Sequence, residues 1–154
     1  MASQQKALFI NSIRQVFLQN NSVVPTVVLY KNKNCYVGVD ALQNCDDFTE
    51  LKEDFKVQIG EASPLKLAQR IGGRSILGIA KDFIATLTQQ AINEIELQGG
   101  PKPSRILIAE PISLDSDQRV TEEWLKNYRL SIRRILESTF EEVDFLPEPF
   151  AVFQ

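Results

Sequence analysis

Four consecutive apolar residues, Ile106 to Ala109, closed by Glu110 and Pro111, constrain this chain most. A short, unbroken apolar run of this kind suits a strand buried on both faces of an α/β sheet. Residues 117–138 follow with apolar positions at helical spacing: Val120, Trp124 or Leu125, Tyr128, Ile132, Ile135 and Leu136. Asp115 or Ser116 is placed to cap that helix. Residues 142–149, EVDFLPEP, offer a further short strand. Strand, helix and strand over 105–146 make a βαβ unit, whose right-handed crossover places its two strands side by side and parallel.

The residues before this unit alternate between hairpin and helix signals. VVPTVVLY (23–30) and NCYVGV (34–39) read as two strands turned at Lys31 to Lys33, with Pro25 at a strand start or edge. Asp40 opens a short helix that its carboxylate is expected to cap. Phe48, Leu51, Phe55 and Val57 are expected to face inward, and a short helix over 64–70 starts at Pro64. The clearest helix spans 74–97, with a stripe of Ile76, Ala80, Phe83, Leu87, Ala91 and Ile95. Gly99, Gly100, Pro101 and Pro103 end it. Residues 7–19 fit a short amphipathic helix, with a strand through ALFI as the alternative.

Composition narrows the function classes. The chain has 154 residues and 44% apolar content, so it forms one domain or one lobe of a larger one. A net charge of −3 without a dense Lys/Arg run does not suit nucleic-acid binding. No run of about 18 apolar residues is present to span a membrane, and the first residues do not read as a secretory peptide; a cytoplasmic location is expected. There is no histidine, which excludes Ser-His-Asp and Cys-His mechanisms and Cys2His2 zinc sites. Cys35 and Cys45 read as free thiols. The pairs Asp46/Asp47 and Asp115/Asp117 read as solvated loops and a helix cap rather than as metal ligands. Gly72, Gly73 and Arg74 resemble an anion-binding turn at a helix start, but the spacing is not that of a P-loop and a plain helix-opening turn is favoured.

The last third also carries an ordered set of small motifs. In ILIAEPISLDSDQRVTEEW and VDFLPEPFAVF, a strand ends in Pro111, Gln118 and Arg119 open a helix, and a second strand ends in Glu148 and Pro149 before Ala151. This order resembles the ATPase domain of the seventy-kilodalton heat-shock chaperones, in the actin-like ATPase superfamily. VVPTVVLYKNKNCYVGVDAL resembles the segment after that family's first phosphate loop, and FTELKEDF resembles the region of its catalytic lysine. The resemblance covers roughly residues 23–154 and implies an α/β fold, a partial actin-like or ribonuclease H-like ATPase lobe with a mixed sheet and flanking helices. Residues 1–22 would be an extension, 23–104 a peripheral subdomain-like part, and 105–154 a truncated βαβ part of the core subdomain.

What the resemblance implies chemically is phosphoryl transfer to water, with ATP and Mg²⁺ as cofactors of a full-length parent. Lys52 falls at the catalytic lysine, which helps orient the attacking water. Among Glu50, Glu53 and Asp54 the plainer reading is a solvated lysine. Pro111, Arg119 and Glu148 fall at the relay that couples nucleotide state to the rest of such a chaperone. A guanidinium can bridge a carbonyl near Pro111 and the carboxylate of Glu148. The plainer reading makes Pro111 a strand end, Arg119 a residue of a polar first turn, and Glu148 exposed.

The family's opening Asp-Leu/Phe-Gly-Thr hairpin does not precede residue 23, so no nucleotide or metal site is expected in this chain alone. Two functions follow as expectations. One is a fragment of an ATP-binding, chaperone-like protein that does not hydrolyse ATP by itself. The other is a non-catalytic protein-interaction module on a degenerate actin-like scaffold. An unrelated α/β protein whose βαβ unit matches by chance is the third. The apolar ending AVF suggests cover by the remaining lobe, by another protein chain or by a second copy.

Overall fold

The structure, a computed structural model, describes residues 16–21, 23–70, 73–114 and 119–148. It is a mixed α/β fold in which small sheets are flanked by helices. The order is β1 (Val28–Lys31), β2 (Asn34–Val37), α1 (Val39–Asn44), a 3-10 turn (Phe48–Glu50), α2 (Phe55–Gln58), α3 (Pro64–Leu67), α4 (Ile76–Leu97), β3 (Arg105–Glu110), α5 (Glu122–Leu136) and β4 (Glu142–Pro147). The strands fall into two separate two-stranded sheets among the described residues, rather than one mixed sheet.

β1 and β2 form the expected hairpin, antiparallel with Val28 opposite Val37. Asn32 and Lys33 make its two-residue turn with φ of 52° and 65°. That left-handed pair gives the twist a tight hairpin needs, and Asn tolerates it well. Lys52 adds a single antiparallel bridge on the other edge of β1, exchanging backbone bonds with Val28 at 3.0 and 2.8 Å. The next helix departs from expectation. Gly38, with φ of 62°, stands at its N-cap and no side chain caps it; Asp40 lies inside the first turn. A Cβ at Gly38 would also strike Val24, so glycine is required here on two counts.

Side-chain caps occur further on. Asp47 caps the 3-10 turn, with Glu50 reaching back in a capping box. Ser63 caps α3 ahead of Pro64, and Ser75 caps α4. Leu51 and Phe55 are buried as expected, whereas Phe48 and Val57 are exposed, because the capped turn and the single helical turn of α2 rotate them outward. The expected helix 7–19 lies outside the described residues except at its end, where Leu18 bridges Asn21 instead of continuing a helix.

α4 spans nearly the expected range, but its buried residues are Leu77, Ala80, Phe83 and Ile92. Ile76 and Leu87 of the expected stripe pack at the edge of this core. The buried arc is wider than one stripe because α4 touches β1, β2, α2, α3 and α5. No helix among the described residues is long and apolar enough to cross a membrane.

β3 and β4 are parallel neighbours, in register from Arg105 opposite Glu142 to Glu110 opposite Pro147. The connecting helix starts later than expected. Thr121, not Asp115 or Ser116, caps α5 through a 3.0 Å bond from the Trp124 amide. Its buried face carries Trp124, Ile132, Ile135 and Leu136. β3 is not buried on both faces. Ile106, Ile108 and Glu110 point inward, while Leu107 and Ala109 face outward, Leu107 with 55% exposure. With two strands, the sheet has helices on one face only among the described residues, so alternation follows despite the continuous apolar sequence.

One core cluster joins the hairpin, α2, α3, α4, α5 and the turn at Phe140. A smaller one holds Val27, Leu29, Ala41 and Leu51 between the hairpin and α1. Trp124 closes the first cluster over the α2–α3 connection. Its indole N–H donates to the Val57 carbonyl at 3.1 Å, and the Asn127 amide donates to the Gly60 carbonyl at 3.1 Å. Gly60 is in direct contact range of the indole, leaving no room for a Cβ. Gly60→Ala is expected to cost about 1–3 kcal/mol by overpacking. Urea unfolding followed by Trp124 fluorescence measures it, and a midpoint equal to wild type would show that the contact is not required.

Candidate functional site

The inner face of β3 ends on a charge. Alternation that buries Ile106 and Ile108 also turns Glu110 inward, where its side chain is 4% exposed. An ionised carboxylate is costly there unless it is paired and hydrogen-bonded. Arg129, one residue past Tyr128 on α5, supplies both: its Nε donates to Glu110 Oε2 at 2.8 Å and its Nη2 to Oε1. This fork-on-carboxylate geometry is one that lysine cannot reproduce. The bond to Glu110 also raises the Arg129 pKa.

Tyr128 completes this end of the sheet. Its ring stacks on Trp124 at 5.2 Å and meets Phe145 edge-on at 6.2 Å. Burial pushes the phenol up to about 12, with the carboxylates of Glu110 and Glu148 adding to the shift. The carboxyl ends of two parallel strands thus carry Glu110, Tyr128, Arg129 and Glu148, the place where open α/β sheets commonly receive ligands.

The expected site residues fall in two places. Pro111 is buried immediately after β3. Glu148 is exposed immediately after β4, one step beyond the last registered pair, so these two stand at adjacent strand ends. Arg119 is exposed and bridges Ser113 through its backbone. The bond that closes this loop near Pro111 is also a backbone one, from the Val120 amide to the Ile112 carbonyl at 3.2 Å. The guanidinium–carboxylate pair described at this sheet end belongs to Arg129 and Glu110. Lys52 lies on the β1 edge of the hairpin, with its side chain exposed.

Neither Glu110 nor Arg129 was singled out by sequence reasoning. A signal was present. A carboxylate at an inward position of an apolar strand needs a cation, and Arg129 adjoins the stripe that carries Tyr128 and Ile132.

A second polar cluster lies on the hairpin face of α4. The Tyr30 hydroxyl donates to Asp82 at 2.7 Å, and Arg74 stacks over the Tyr30 ring at 3.8 Å while pairing with Asp82 at 3.6 Å. Burial and the bond to Asp82 raise the Tyr30 pKa above its ordinary value. Arg74 is thereby engaged by a carboxylate and a ring; Gly72, its neighbour in the expected anion-binding turn, lies outside the described residues. Asp46 pairs with Lys31 at 2.6 Å and Asp47 serves as a cap. Cys35 and Cys45 are free thiols. Asp115 and Asp117 lie outside the described residues. Among the described residues, no three acidic or cysteine side chains converge as metal ligands.

Comparison with protein-family models, with curated proteins and with solved structures finds no significant match to this chain.

Arg129→Met is expected to destabilise the fold by roughly 3 kcal/mol, the low end for a broken buried pair because the guanidinium is partly exposed. Glu110→Gln added to Arg129→Met should recover part of that loss, since an amide has no charge to strand. A urea double-mutant cycle measures both; additive losses would mean that the two residues do not act as a pair. Alkali supplies a further test. Because the folded Tyr128 pKa is raised to about 12 from 10.0, its contribution is fully present below pH 10 and is lost as pH climbs towards 12. Wild type should therefore lose more stability over that window than Tyr128→Phe, and equal losses would show that the phenol is not buried in solution.

Proposed function

We propose that this chain is a non-catalytic protein-interaction module on an actin-like scaffold, and that its β3/β4 sheet is the surface that receives another protein chain. The observation that carries this reading is the outer face of that sheet, which no described residue covers. Leu107 stands there exposed opposite Asp144, and Ala109 exposed opposite the half-buried Leu146, on either side of the inward pair Ile108 and Phe145. Parallel sheets ordinarily have both faces covered, and two strands are few for independent stability. A partner that adds a strand or lays an apolar surface across Leu107 would supply the missing layer. The charged end of the same face, where Arg105 pairs with Glu142 at 2.7 Å and approaches Asp144 at 4.0 Å, would set the register of such a partner.

The second reading is a lobe of an ATP-binding, chaperone-like protein of the heat-shock seventy type. The parallel register that sets Pro111 and Glu148 at adjacent strand ends favours it. ATP and Mg²⁺ would then belong to a larger assembly, with Lys52 oriented by parts supplied from elsewhere.

One paired experiment separates the two. Amide hydrogen exchange over a concentration series should show β3 and β4 gaining protection as the chain associates with a second copy. Leu107→Lys should remove that gain without lowering Tm. Calorimetry with Mg²⁺-ATP on the same samples should show no heat of binding. Micromolar ATP binding would move the assignment to the ATPase lobe. Unchanged β3/β4 exchange up to millimolar protein would exclude the second copy as the partner of this sheet.

A further inference from the structure

We propose that a half-open cavity between the β1 approach, α2, α4 and α5 is a binding site for a small aromatic carboxylate. It lies on the helical side of the fold, apart from the outer sheet face. Its volume is about 140 Å³. Phe55 and Ile59 wall it on one side, Phe83 and Ile84 on another, and Ile132 closes it from α5. A closed apolar cavity of about this size, roughly 150 Å³, stays dry and takes up benzene. The rings of Phe55 and Phe83 sit 5.4 Å apart at 54°, which offers a planar ligand both an edge and a face.

The polar members of the lining decide the ligand's charge. They are Lys56, Thr26 and Tyr128. The Tyr128 phenol is influenced by Glu110 and Glu148 at the strand ends and is not needed for this argument. Lys56 lies on the exposed side of α2 and takes part in none of the ion pairs among the described residues. The Thr26 hydroxyl is likewise in none of the side-chain hydrogen bonds among the described residues. An apolar hollow whose lining residues include a lysine and a threonine, and no acidic residue, favours an anion on an apolar body. Benzoate fits both requirements. Toluene fits only the walls, and benzylammonium meets the wrong charge.

The cavity is also placed to matter. Ala80 at its floor is fully buried in the core cluster, so occupancy bears on the contact between α4 and α5. A ligand that binds only the folded state raises apparent stability by mass action.

The test titrates the full chain with benzoate, toluene and benzylammonium, following isoleucine methyl resonances by NMR and Tm by calorimetry. Benzoate should give saturable shifts at Ile59, Ile84 and Ile132 and raise Tm. Toluene should bind more weakly and benzylammonium weakest. Lys56→Gln should weaken benzoate about threefold to fivefold, the scale of a solvent-exposed charge pair, and leave toluene unchanged. Ala80→Leu should fill the cavity and abolish binding of both; Ile84→Phe does the same from the rim and serves if Ala80→Leu does not fold. Benzoate binding that survives in a folded Ile84→Phe variant would overturn the site. Toluene binding as tightly as benzoate, or benzoate binding indifferent to Lys56→Gln, would overturn the carboxylate.

Discussion

Neither of the two small sheets can bury itself, and α4 is the element that joins them. A two-stranded hairpin is marginal alone, and a two-stranded parallel pair is more so. α4 packs against β1 and β2 on one side and against α5 on another, while α5 packs on β4. Ala80 and Phe83 therefore sit in one cluster with Val28 and Val37 of the hairpin and Ile132 and Leu136 of α5. Stability here is a property of that shared cluster rather than of either sheet. This also explains why α4 is buried over a wide arc.

The charge pair at the end of β3 follows from the same packing. The inward face that must be apolar at Ile106 and Ile108 continues to Glu110, and the carboxylate persists there because Arg129 reaches it from α5. Such a pair adds little net stability, but removing one partner is expensive. Its effect is to pin α5 against β3 in one register, beside the Trp124–Tyr128 stack that pins it against Gly60. The strand end is thus tied to α5, and among the described residues the outer face beyond it is left open. That open face is the surface on which the proposed function rests.

Much of the secondary structure was legible in local chemistry. The hairpin turned where Asn32 permits left-handed backbone, α4 filled the long helical period, and the apolar run at 106–109 became a strand parallel to the one at 142–147. What failed were boundaries and faces. Asp40 did not cap α1, because Gly38 supplied the backbone conformation the turn required and put the cap two residues earlier. Asp115 and Ser116 did not cap α5, because Thr121 stood nearer to the first apolar turn. The candidate site was less legible still. Of Pro111, Arg119 and Glu148, the structure sets the first and last at adjacent strand ends, while the described ion pair there uses Glu110 and Arg129. Lys52 stands apart at the hairpin edge.

By itself the sequence determined the local rules: the periods, the turn residues, the absence of histidine chemistry, and the βαβ pattern of the last third. These depend on neighbours within a few residues, so they can be read in order along the chain. Only the tertiary structure decided which face of β3 was buried, which cation met Glu110, and which residues enclosed the cavity at Phe55 and Phe83. Those outcomes depend on residues far apart in sequence, Lys56 with Ile132 or Gly60 with Trp124, whose meeting is set by how α4 and α5 cross the sheets. The continuous apolar run at Ile106 to Ala109 could not reveal its own exposure, because burial is fixed by how many layers surround a strand and not by the strand.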